Sequence, residues 1–213
     1  MKVALIGATG FIGSKILSEA VNRNHQVTAI ARHTEKIPVH SNISPKQGDV
    51  LNESEVTKLV AGHDAVIVSY NPGWMNPNLV AEQHAAAKTI TEGVRKSGVK
   101  RMLVVGGAGS LQLADGSDLL DAAFFPAEYK AAAAALRDFL HQLRKETELD
   151  WTFFSPAAII EPGERTCKFR LGNDQVVFNE KNESKISVDD YAIAMIDELE
   201  NPKHIKSRFT IAY

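Results

Sequence analysis

Met1-Lys-Val-Ala-Leu-Ile-Gly7-Ala-Thr-Gly10-Phe-Ile-Gly13 decides the fold. Val3 to Ile6 form an unbroken apolar run, which reads as a strand buried on both faces, as in a parallel sheet. Ile12, Ile16, Leu17 and Ala20 then recur at helical spacing. Between strand and helix lie three glycines, spaced GxxGxxG rather than GxGxxG. Gly7 permits a sharp turn, Gly10 lets the backbone approach a pyrophosphate, and Gly13 lets the helix pack closely on the strand. The free N–H groups of the first helical turn then face the anion. A βα turn without a ligand is the plainer alternative, and the strand and helix flanking the glycines argue against it.

Composition agrees with this reading. A chain of 213 residues suits one α/β domain with a large core. A formal net charge of −2 argues against nucleic acid or an anionic membrane as the main partner. The only cysteine, Cys167, excludes an internal disulfide, fits a reducing cytosol and reads as structural. The chain enters its first strand at once and has no bilayer-length apolar run, so neither a signal peptide nor a membrane span is expected, and a cytoplasmic protein is. The seven histidines are scattered without zinc spacing, so no metal is expected.

Beyond the first helix, expected over 11–23, residues 26–31 read as strand two. A nucleotide site reading NAD usually carries Asp or Glu at the end of this strand, whereas an Arg there suits a 2′-phosphate. Here stand Ala31-Arg32-His33-Thr34, with no acid before Glu35. Arg32 is therefore the candidate phosphate contact, and NADP(H) is favoured over NAD(H). A solvated strand-end charge is the competing reading of Arg32. Residues 43–47 read as strand three. Asn52-Glu-Ser-Glu55 has capping-box spacing for a helix reaching about residue 61, and 65–69 read as strand four.

The loop Ser69-Tyr-Asn-Pro-Gly-Trp-Met-Asn-Pro77 leaves a strand's carboxyl end, where open α/β sheets bind ligands. Trp74 in it is either exposed to the site or buried beneath it. A helix over 78–97 presents Val80, Ala87, Ile90, Thr91 and Val94 on one face and ends at Gly98. Residues 101–105 read as strand five, followed by Gly106-Gly-Ala-Gly-Ser110-Leu. Residues 113–125 read as a loop, with Phe124 and Phe125 either stapled into the core or lining an apolar pocket. The helix opened by Glu128-Tyr129-Lys130 reaches about residue 145, and 149–155 read as strand six. Residues 161–163 read as a turn, with 167–171 and 176–178 as small strands over the site. Ser187 caps a last helix to about residue 200, and 208–212 close the sheet.

Gly7-Ala-Thr-Gly-Phe-Ile-Gly13, together with Ser155-Pro-Ala-Ala-Ile-Ile-Glu-Pro-Gly-Glu-Arg165, resembles the atypical short-chain dehydrogenase/reductases. Within them the chain resembles the small NAD(P)H-binding proteins labelled NADH-flavin reductases. The resemblance implies a doubly wound, mainly parallel Rossmann-type sheet over 1–213, with residues from about 156 forming a small C-terminal substrate lid and the last strands. It implies cofactor contacts from Gly7, Thr9, Gly10, Phe11 and Ile12, from Asp49 and Val50 at the adenine, and from Ser69, Tyr70 and Asn71 at the ribose. Gly107, Lys130, Ser155, Pro156 and Ala157 complete that set. Ser110 matches the position that polarises a substrate carbonyl in typical members, and a plain polar turn residue is the alternative. Tyr129 is the other catalytic candidate. The superfamily pairs Tyr with Lys at i+4, where this chain has Ala133, so the dyad is absent in its usual form.

The resemblance therefore implies an NAD(P)H-dependent oxidoreductase reducing a flavin or quinone-like planar acceptor, with Trp74 and Phe124 as substrate contacts. A flavin holds the transferred charge in its own rings and needs no tuned phenol. The alternative is a non-catalytic redox sensor of NmrA type, which would also lack the dyad. Expected partners are a small planar acceptor and neither nucleic acid nor membrane, in a monomer or homodimer.

Overall fold

The computed structural model describes residues 1–213. Its strands are β1 (Lys2–Ile6), β2 (Gln26–Ala31), β3 (Ile43–Gln47), β4 (Ala65–Val68), β5 (Arg101–Val105), β6 (Asp150–Ser155), β7 (Ile159–Glu161), β8 (Arg170–Gly172), β9 (Lys185–Ser187) and β10 (Ser207–Ala212). Its helices are α1 (Phe11–Asn22), α2 (Glu53–Val60), α3 (Leu79–Ser97), α4 (Ala127–Leu143) and α5 (Val188–Glu200). Eight strands form one sheet in the order β3-β2-β1-β4-β5-β6-β10-β8, parallel except where β8 runs antiparallel to β10. Reversal of order at β1 and β4 makes the doubly wound pattern.

The apolar run of β1 divides between two cores. Val3 and Leu5 join the cluster under α1 and α5, while Ala4 and Ile6 join the one under α2, α3 and α4. All four are fully buried, which is why the run shows no polar alternation. At the far edge β3 is mostly exposed and tolerates Pro45, since an edge strand has a free side. Local signals are realised as read. Asn52 accepts from the Glu55 N–H, Ser187 accepts from the Asp190 N–H, and Gly98 ends α3 with φ 85°.

Several expectations change. Val80 is 37% exposed, and the buried face of α3 runs instead through Gln83, Ala86, Ala87, Ile90, Gly93 and Val94. The strand placed over 167–171 lies at Arg170–Gly172, and it extends the main sheet edge rather than covering the site. Residues 176–178 form no strand. The stretch read as a turn at 161–163 begins on the last residue of a strand, Glu161: β7 pairs in parallel with β9 as a separate two-stranded sheet beyond the carboxyl end of β6. Runs of three residues carry too little periodicity to announce themselves.

The segment following β7 is pinned to the later part of α1 and to the first turn of α5. Arg165 reaches the Glu19 carboxylate at 3.0 Å. Asp190, with no exposed surface, accepts from the Thr166 hydroxyl at 2.5 Å, the Cys167 N–H at 2.9 Å and the Tyr213 hydroxyl at 2.9 Å. Burial works against this carboxylate, but the bonds from Thr166, Cys167 and Tyr213 outweigh it and hold its pKa below the ordinary value. A depressed folded-state pKa contributes stability above the unfolded value of about 3.9 and loses it as pH falls through the folded value. Asp190→Asn should therefore cost about 1–3 kcal/mol at pH 7. In urea denaturation the gap from the parent should narrow below about pH 4; a constant gap would show that the carboxylate charge contributes nothing.

Candidate functional site at the carboxyl edge of the sheet

The parallel strands deliver their following loops to one edge. At the switch point, Ile6 of β1 pairs with Ile30 of β2 on one side and Val68 of β4 on the other. There Gly7 turns with φ 80°, and a Cβ on it would lie 2.2 Å from the Ser69 carbonyl oxygen. A Cβ on Gly13 would lie 2.1 Å from the Gly7 carbonyl oxygen. Both glycines are thus demanded by the protein's own packing, as the close approach of helix and strand requires.

Gly10 differs. A Cβ there meets only the Gly7 carbonyl oxygen, at 3.4 Å, and its φ of −74° suits any residue. The chain's own packing gives no reason for glycine at this exposed position, and the space in front of it is open. Gly10 is the N-cap of α1, which has no side-chain cap and no acidic residue in its first turn. The N–H groups of Phe11, Ile12 and Gly13 find no partner within the chain. Thr9 and Ile12 are partly exposed and Phe11 is exposed around them. Open amides at a helix start suit a pyrophosphate.

Arg32 leaves the end of β2 exposed, its guanidinium without ion pair or side-chain hydrogen bond. Only its carbonyl is engaged, by Gln47 Nε2 at 3.2 Å. Tyr70, half-buried just past β4, has a phenol pushed up by burial and by the charges of Glu82 and Asp49, with Arg32 pulling the other way. Arg32, Asp49, Tyr70 and Glu82 are therefore electrostatic neighbours at the end of β2, β3 and β4. Glu82 comes from the first turn of α3, and nothing local in sequence links it to Arg32.

Asp49 uses Oδ1 to accept the Leu51 N–H, an Asx turn, and leaves helix capping to Asn52. Val50 is a core residue 7% exposed, its carbonyl receiving the Thr89 hydroxyl, so its side chain faces inward. Ser69 lines the glycine turn, and Asn71 accepts the Gly73 N–H at 2.7 Å to shape the following loop. Gly107 packs on α4, where a Cβ would lie 3.0 Å from Leu136 Cδ1. Pro156 and Ala157 are buried at the end of β6. Ser155 is fully buried, and its hydroxyl has no partner in the chain. An orphaned buried hydroxyl at this edge is the kind of group a bound ligand satisfies.

Trp74 is exposed rather than buried, and its ring meets Tyr129 edge to face with centroids 5.3 Å apart. This contact joins the loop after β4 to the first turn of α4. Phe124 stands 71% exposed nearby in sequence, while Phe125 packs on the small cluster of Leu111, Leu119 and Val176. Lys130 is exposed and makes no ion pair. Ser110 is placed differently from its sequence reading as a donor to substrate. It is 6% exposed, and Arg208 donates to its carbonyl at 2.5 Å and its hydroxyl at 3.1 Å. The residue locks the loop after β5 onto β10. Cys167 is exposed, has φ 57°, and receives a hydrogen bond from Arg165 at 3.1 Å, so its thiol is no part of the core.

The profile of the NAD(P)H-binding family matches residues 7–202. The uncharacterized protein YwnB of Bacillus subtilis (strain 168) is 38% identical over 218 residues, covering 99% of this chain and 98% of that protein. A proposed epimerase from Bacteroides thetaiotaomicron is 47% identical with a TM-score of 0.93, over 100% of this chain and 96% of the other. A proposed NADH-flavin reductase from Streptococcus pneumoniae is 37% identical with a TM-score of 0.87, over 100% and 99%.

Proposed function

The chain belongs to the NAD(P)H-binding family, and from that premise we propose that it is an NADPH-dependent oxidoreductase that reduces a flat acceptor of flavin or quinone type. The observation that carries the reading is the Trp74–Tyr129 pair standing on the same sheet edge as the open glycine-loop amides. Two exposed rings in contact offer an apolar wall to a planar molecule beside the nucleotide.

The residues divide the work. The Phe11, Ile12 and Gly13 amides would hold the pyrophosphate, and the unpaired Arg32 guanidinium would meet a 2′-phosphate. The Ser155 hydroxyl would bond the carboxamide end of the nucleotide, which would end its isolation. When bound, the reduced nicotinamide would supply two electrons and one proton together, as a hydride. Trp74 and Tyr129 orient the acceptor, and the second proton of a two-electron reduction comes from solvent at this open edge. Ala133, four residues beyond Tyr129, leaves the phenol without the ammonium that would tune it as an acid.

The deciding measurement is steady-state oxidation of NADPH and NADH with FMN, FAD and a small quinone offered in parallel. Rapid turnover with one acceptor supports the reading. Tight NADPH binding without turnover on any acceptor would replace it with a redox-sensing role. Arg32→Ala should weaken NADPH by about 1–3 kcal/mol in equilibrium binding and leave NADH nearly unchanged, the size of a lost charge-assisted contact; equal losses would remove Arg32 from 2′-phosphate recognition. Tyr129→Phe, which keeps the ring against Trp74, should change kcat no more than about threefold, because general-acid roles are worth about a hundredfold or more. A loss of that larger size would make the phenol a proton donor after all.

A further inference from the structure

A cavity of about 330 Å³ opens at the opposite end of the sheet from the glycine loop. It lies between the last turns of α5, the connection into β10, and the edge strand β8. Phe169 and Leu171, two residues apart at β8, supply one wall, and Phe209 of β10 supplies the floor. Lys203 and His204 stand at its polar end.

The floor is held rigidly. The His204 ring stacks on Phe209 at 4.3 Å, Phe209 on Phe154 at 4.0 Å, and Phe154 on Tyr191 at 4.1 Å. His204 is also oriented through Nδ1, 2.7 Å from Glu198 Oε2, which leaves Nε2 without a partner in the chain. A preformed cavity loses little entropy on taking a ligand.

Charge decides what it would take. Both acidic side chains of the lining are already neutralised: Asp197 pairs with Arg23 at 2.7 Å, and Glu198 pairs with Arg101 at 2.9 Å and with His204. The Lys203 ammonium is exposed and pairs with nothing. The unspent polarity is thus one free cation, the Asn201 side-chain amide and one imidazole nitrogen, set at the end of an apolar slot. The volume is at the small end for ligand pockets. We propose that this cavity is a second binding site, separate from the nucleotide edge, for a small aromatic carboxylate. Its ring lies against Phe169, Leu171 and the edge of Phe209, and its carboxylate meets the Lys203 ammonium and the Asn201 side-chain amide.

The test is an NMR titration of the full chain with sodium benzoate, following the backbone amides of Lys203, His204 and Phe209. Saturable shifts at these amides are expected, unchanged when NADPH is present in excess. Benzyl alcohol, with the ring but no carboxylate, should bind at least tenfold more weakly. Lys203→Ala, at an exposed side chain, should raise the benzoate Kd roughly fivefold, the upper range for a solvent-facing ion pair. Leu171→Trp, at a half-exposed position, should fill the slot and abolish the shifts. No saturable shift at these amides, displacement by NADPH, equal binding of benzyl alcohol, or undiminished binding in either variant would each overturn the proposal.

Discussion

Gly10→Val should raise the Kd for NADPH by about a hundredfold or more while leaving the protein folded. The isopropyl group projects into the space in front of the Phe11, Ile12 and Gly13 amides, which have no partner in the chain. Displacing a pyrophosphate from two such bonds costs about 3 kcal/mol, because hydrogen bonds to charged groups are worth about 1.5–3 kcal/mol each. Nothing in the fold resists the substitution. The Cβ would be 3.4 Å from its nearest neighbour, and the backbone angles at Gly10 are those of an ordinary extended residue. Fluorescence titration with NADPH and a melting curve on the same sample check both halves. A lost Tm would show that the loop needs glycine for its own packing, as Gly13 does at 2.1 Å from a carbonyl oxygen. An unchanged Kd with an unchanged Tm would remove this loop from nucleotide binding.

Arg101→Ala should lower stability by about 3 kcal/mol, the scale for breaking a buried ion pair on one side. Arg101 is 9% exposed at the start of β5 and ties three elements together. It donates to the Asp150 carbonyl at 2.9 Å, the Thr152 hydroxyl at 2.7 Å and the Glu198 carboxylate at 2.9 Å. Burial draws its pKa down and the Glu198 charge opposes this, so the pair holds as a unit. Without it Glu198, 3% exposed at its side chain, keeps only His204 and backbone N–H groups as partners. For a chain of this length that predicts a Tm drop of roughly 10 °C. Chemical denaturation of Arg101→Ala, Glu198→Gln and the double variant would give the coupling energy directly. A double variant equal to the sum of the singles would show that the two groups do not depend on each other.

Both results turn on different kinds of information. The loop at Gly10 is legible because its signals are consecutive: an apolar run, three spaced glycines, and a 3.6-residue period. The caps at Asn52, Gly98 and Ser187 are legible for the same reason, each being a bond or a turn within four residues. Arg101 gives no such sign. Nothing adjacent to this strand-initial Arg marks it as internal; its partner Glu198 arrives from 97 residues away. Ser110 and Arg208 are the same case, 98 residues apart, and there the pairing buries a residue that the family resemblance offered as a substrate contact.

By itself the sequence determined the parallel sheet, the positions along the chain of its first six strands with their helices, and the glycine turn after β1. These follow from local hydrophobic period and from backbone angles that few residues adopt, so a neighbour a few positions away is enough to specify them. Only the tertiary structure decided which candidates stand open to a ligand. It left Gly10, Arg32, Trp74 and Tyr129 at the surface of the carboxyl edge, turned Val50 into the core, and tied Ser110 to β10. It also joined β7 to β9, and the three-residue β8 to β10, from runs too short to carry a period, and β8 with the residue before it walls the cavity beside α5. Exposure and ion pairing depend on what distant segments bring to a residue, and that is a property of packing rather than of any stretch of chain.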